Sequence, residues 1–230
     1  MNHFTNRLAI AGIAALGLAS SVRAWDEYGP VAPGKGEIDL KATYNLTPNA
    51  GGFTPSLQFK YGINYGLDVE VSEALATDPN LGFEKPNVAV KYNDALSGLG
   101  GFIAMDLPIA SEKYDPNPKA YFYFAAQFLR TFDRVVLNDW LYYGNSFRTG
   151  DDGRFDLYIK PQLMLTDVFG PYVGVEYSTS GKLDGYAFTF KPGFTYVVGP
   201  ACTIEANVPL AKAKGSDLST GLYAGIYGAF

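Results

Sequence analysis

From Gly36 to the C-terminus, apolar and polar residues alternate with period two, run after run. This is the pattern of strands that turn one face to an apolar medium and the other to a polar one. Twelve runs can be drawn, over residues 37–46, 54–63, 67–76, 87–94, 101–110, 120–130, 135–144, 155–166, 172–178, 186–198, 201–211 and 221–230. The run 155–166 is the clearest. Leu157, Ile159, Leu163 and Leu165 share one side, and Asp156, Tyr158, Lys160, Gln162 and Thr166 the other. Run 186–198 repeats it, with Phe188, Phe190, Phe194 and Tyr196 against Thr189, Lys191 and Thr195.

The connections alternate too. TPNAGGF, TDPNLGFEKP, SEKYDPNPK, NSFRTGDDGR, TSGKLDG and KAKGSDLS are longer and polar, whereas NYG, ALSGLG, TFDR, DVFGP and GPA are tight. A sandwich has no need of such asymmetry. A transmembrane barrel has short turns on the periplasmic side and longer loops outside. Runs of this length also suit tilted membrane strands of about 9–11 residues. The pattern therefore predicts an all-β, twelve-stranded antiparallel transmembrane β-barrel over residues 36–230, with short periplasmic turns and longer extracellular loops. Two features run against it. Pro108, Pro161, Pro192 and Pro209 fall inside runs, where proline cannot donate to a ladder, so bulges are expected there. Asp139 and Glu73 also sit at outward positions.

Residues 1–24 have Arg7, an apolar run over 8–18 and Val22-Arg23-Ala24, the layout of a cleaved signal peptide. Residues 25–35, WDEYGPVAPGK, read as a periplasmic lead-in, or alternatively as a short plug. Cleavage would remove two of the 18 basic residues, Arg7 and Arg23, and none of the 23 acidic ones, moving the formal charge from −5 to −7. No basic run suggests nucleic acid. The one His, His3, leaves with the leader, which removes the usual general base, so no enzyme is expected. No cofactor and no metal site are expected either. Gly150–Gly153 reads as a solvated turn, with calcium as the lesser alternative, and Cys202 as a small outward hydrophobe.

GEIDLKATYNL, then QFKYGINYGLDVEVSEAL, with looser likeness through NVAVKYND and FIAMDLPIAS to the last strand, resembles the small outer-membrane barrel proteins named after the meta-pathway of phenol degradation. That resemblance implies a small barrel with a transport role and brings no site residues. The closing run GLYAGIYGAF, ending on an aromatic, is similar to the last strand of bacterial outer-membrane barrels. The likeness implies that Phe230 is an assembly signal read by the barrel assembly machinery.

The inward positions carry the candidate chemistry. Folding each tight hairpin about its turn sets Lys60 against Glu70, Lys91 against Asp106, Lys160 against Glu176, Lys191 against Glu205 and Gln127 against Asn138. With Lys41 these form an expected charge belt across a narrow lumen. The function expected is an outer-membrane channel, porin-like, for a small-molecule solute, with outer-membrane lipids around it. The alternative is a structural or surface-display barrel with a filled lumen.

Overall fold

The structure, a computed structural model, describes residues 31–46, 53–76, 82–83, 85–94, 96–109, 119–147, 151–183 and 185–230. The expected signal peptide and most of the lead-in lie outside the described residues. The strands are β1 (Gly36–Asn45), β2 (Phe53–Asn64), β3 (Leu67–Ala76), β4 (Gly82–Phe83), β5 (Asn87–Asn93), β6 (Leu99–Asp106), β7 (Tyr121–Phe132), β8 (Val135–Asn145), β9 (Arg154–Leu163), β10 (Phe169–Ser180), β11 (Tyr186–Gly199), β12 (Cys202–Asn207), β13 (Leu210–Ala213) and β14 (Ser219–Ala229). β4 pairs antiparallel with the end of β3, off the main path of the sheet, and β12 and β13 are two parts of one barrel strand flanked by β11 and β14. β14 returns to pair with β1 from Glu37↔Ala229 to Asn45↔Gly221. The result is a closed twelve-stranded antiparallel barrel with no free edge.

Tight turns at 65–66, 133–134 and 200–201 gather at one end, where Gly36 and Phe230 also meet. Gly66 and Asp133 supply the positive φ, 84° and 53°, that such short reversals require. The strand ends that lead into the longer connections lie at the other end. There the Ser146 hydroxyl, with the Gly153 and Ser146 amides at 2.9 and 2.7 Å, donates to Asp151 and holds its carboxyl below the usual carboxylate range.

Burial is inverted relative to a globular core. Leu40, Leu57, Val71, Val90, Ile103, Leu157, Phe188 and Ile226 are exposed on the outside, while Asp39, Lys60, Asp68, Asn138, Lys160 and Glu205 are buried within. An apolar exterior around a polar interior suits lipid outside and water or paired charge inside. Cys202 is half-buried on the outward parity. Asp139 stays on the outer face between Phe128 and Ile159, and Glu73 opposite exposed Leu57.

The bulges expected at the prolines do not form. The register shifts lie between Gly62 and Asn64 and between Val197 and Gly199, beside tight turns. Pro108 falls beyond the end of β6. Pro161 pairs with Leu137, but β9 and β10 skip rungs between Tyr172↔Gln162 and Val175↔Ile159. At the β12/β13 interruption the register sets Val208 opposite Pro192, with the Val208 amide donating to Pro192 O at 3.0 Å, and Pro209 opposite Lys191. The barrel tolerates a missing donor by skipping a rung, not by inserting a residue.

Candidate functional site

The lumen has two tiers. Toward the tight turns it is filled. Lys60 reaches Glu37 at 2.5 Å and Asp39 at 3.0 Å, all three buried. Asn93, Gln127 and Asn138 form an amide chain at 3.4 and 3.3 Å, beside Trp140, whose ring stacks on Tyr142. Glu205 accepts from Lys160 at 3.0 Å, Tyr172 Oη at 2.5 Å and Tyr227 Oη at 2.9 Å, with the ammonium of Lys160 4.3 Å from the Tyr172 ring centroid. Lys160 stands on β9 and Glu205 on β12, so this contact ties strands separated by two others. Gln162 donates to Thr195 in the same way from β9 to β11. Burial of so many charges is tolerable because each has a partner.

Residues 31–35 add to the filling at that end. Val31 is buried and its amide lies 3.5 Å from Asp68 Oδ2, while Gly34 and Lys35 exchange backbone bonds with Gly62 at 2.8 and 3.0 Å. Residues 31–35, the end of the expected lead-in, therefore sit against the inner wall.

Toward the longer loops the lumen opens into a vestibule of about 560 Å³. On one wall Lys191 pairs with Glu176 at 2.6 Å, and Arg154 with Asp156 at 2.7 Å. On the other, Lys91 pairs with Glu70, and Asp106 accepts from Asn87 and Tyr123, both at 2.7 Å. A second recess of about 520 Å³ adjoins it, lined in part by Lys41, which donates to Gln58.

All the expected lumen residues face inward, but three of the expected pairs do not form. Lys91 lies opposite Phe102, not Asp106, and bonds Glu70. Glu176 lies opposite Tyr158, so Lys160 turns to Glu205 and Glu176 to Lys191. Lys191 is opposite Gly174, and Glu205 opposite Thr195. Lys60 and Glu70 are Cα partners as expected, although Lys60 also engages Glu37 and Asp39. Gln127 does bond Asn138, diagonally, since Trp140 is its direct partner. The cause is turn length. Each register lies an even number of residues from the expected one, which preserves the face and changes the partner.

No family model matches this chain, and no curated protein does. Among solved structures it is similar to the KdgM porin, with TM-score 0.60 at 13% identity over 84% of this chain and 99% of that one. It is similar to an outer membrane channel from Pseudomonas putida F1, with TM-score 0.62 at 11% identity over 92% and 100%. It is also similar to the NanC porin, with TM-score 0.56 at 11% identity over 83% and 98%. The fold is that of an outer-membrane barrel.

Within this barrel, sequence reasoning overlooked several participants. Tyr172 and Tyr227 complete the Glu205 site, and Arg154 faces the vestibule. Inward parity was the signal available for each. What parity could not supply was contact between strands that are not neighbours. Phe230 lies at the seam, exchanging backbone bonds with Gly36 at 3.0 and 2.9 Å, its ring 6.3 Å from that of Phe59.

Proposed function

We propose that this chain is a porin-like channel of the bacterial outer membrane, exported by a cleaved leader and inserted by the barrel assembly machinery. Small polar solutes enter its vestibule from the loop side. The observation that carries this is the apolar outer face around a polar lumen that opens into a cavity of about 560 Å³. The tier below it is closed by hydrogen bonds and ion pairs between side chains. Water can replace such bonds at a net cost of about 0.5–1.5 kcal/mol for each neutral one and about 1.5–3 kcal/mol where a charged group takes part. A polar seal can therefore part in a way that an aliphatic core cannot. The resemblance of residues 36–46 and 58–75 to the phenol meta-pathway barrels supports the same transport reading.

The burial of Lys60, Asp39, Lys160 and Glu205 favours a second reading, a barrel permanently filled at mid-height. Single-channel recording in planar bilayers separates the two. The channel reading expects discrete current steps, larger in Glu205→Ala because the tie from β9 to β12 is gone. Barrels that insert and show heat-modifiable mobility, yet pass no current in either form, would leave the filled-barrel reading standing.

A further inference from the structure

One strip of the vestibule wall has the layout of a ligand subsite. On β5 and β6 the inward residues form three rungs. Lys91↔Phe102 is nearest the seal, Ala89↔Ala104 is in the middle, and Asn87↔Asp106 is nearest the loops. All six line the vestibule. The two alanines leave a recess between an aromatic ring and a carboxylate. Phe102 and Asp106 are four residues apart on one strand, roughly 13 Å along it, which leaves room for one sugar-sized ring. Tyr123, opposite Ala104 on β7, forms the side of the recess.

The charges of the vestibule decide what such a ring can carry. Lys91 is paired with Glu70, Lys191 with Glu176, Arg154 with Asp156, and Glu205 with Lys160. Among the described acids lining this cavity, Asp106 is the one that makes no ion pair. Its donors are neutral, with Asn87 Nδ2 on Oδ1 and Tyr123 Oη on Oδ2, each at 2.7 Å. Those two bonds fix the carboxylate plane and leave further acceptor capacity on each oxygen. Two adjacent hydroxyls can each donate to one oxygen, while the apolar face of the ring lies toward Phe102. An anionic ring would meet an uncompensated negative charge.

We propose that the Asp106 recess is a binding subsite for a neutral saccharide ring bearing a vicinal diol, and that it discriminates against the matching uronic acid. Its role in solute passage rests on the channel reading above, but binding can be measured without any current.

The ring of Trp140 is 5.3 Å from that of Phe102, so its emission reports on the recess. In a Trp25→Phe background Trp140 is the sole tryptophan, since the chain has two. The refolded barrel in detergent is titrated with D-glucose, D-glucosamine and D-glucuronate. Glucose and glucosamine should give saturable changes, and glucuronate should bind about tenfold more weakly. Asp106→Asn should weaken glucose about tenfold and narrow its advantage over glucuronate, because hydrogen bonds to a charged acceptor are the stronger ones. Ala104→Phe, which fills the recess without touching the charge, should abolish the response. Heat-modifiable mobility confirms that each variant is folded. The proposal is overturned if glucuronate binds as well as glucose. It is equally overturned if no sugar gives a saturable response, or if folded Asp106→Asn binds glucose as the parent does. Glucose binding in a barrel without current would leave the subsite standing and remove the channel reading. Current without glucose binding would do the reverse.

Discussion

Glu205 shows what one residue does in a closed lumen. Its two oxygens collect Lys160, Tyr172 and Tyr227 from three other strands. Removing one partner of a buried pair leaves the other charge uncompensated, at a cost on the order of 3 kcal/mol or more. Lys160→Glu therefore should lower the heat-modification midpoint markedly, because two carboxylates then face each other. Exchanging both residues, Lys160→Glu with Glu205→Lys, should recover much of the loss. The same rescue attempted with Glu176→Lys should recover little, because Glu176 bonds Lys191 instead. If the Glu176 exchange rescues and the Glu205 exchange does not, the tie across the lumen is misassigned.

Among the elements, the segment 31–35 depends on a missing side chain. A Cβ at Gly62 would lie 2.2 Å from Ala32 O, so only glycine lets this segment lie against β2. Gly62→Val should displace it and expose Lys35. Limited trypsin treatment of the folded barrel, followed by mass spectrometry, checks this. The variant should be trimmed to Gly36 much faster than the parent, and equal trimming would mean that the segment is held by something other than the notch. The strand elements were far more legible in the sequence. β3 begins and ends as its alternation indicates, and β8 and β11 differ by one residue at one end. The eleventh run was only partly legible. Val208 and Pro209 split it into β12 and β13, because Pro209 has no N–H to continue the ladder.

For the whole molecule, orientation and closure are the testable matters. The longer loops should face outward, so a cysteine placed at Asp151 should react with an impermeant thiol reagent on intact cells and one at Asp133 should not. Labelling at Asp133 alone would invert the barrel. Phe230 bonds the backbone of Gly36 at the seam, where a Cβ on residue 36 would collide with its ring. Deleting Phe230 should reduce the fraction of chains assembled into the membrane more than it shifts the midpoint of those that assemble. Quantifying heat-modifiable barrel in outer-membrane fractions decides between the two effects.

Alternation with period two determined, from the sequence alone, which residues face lipid and which face the lumen, because successive side chains on a strand must point to opposite sides. Thus Lys41, Lys60, Glu70, Lys91, Asp106, Lys160, Glu176, Lys191 and Glu205 could all be assigned to the interior without a structure. Unequal connections determined the hairpin order. Partners were left to the tertiary structure. A turn that is longer by two residues keeps every face and changes every pair, and the sequences ALSGLG and DVFGP do not declare where they reverse. Closure then brought β9 to β12 and placed the unpaired Asp106 beside two alanines. Neither arrangement is local in the chain, so no window of residues contains it.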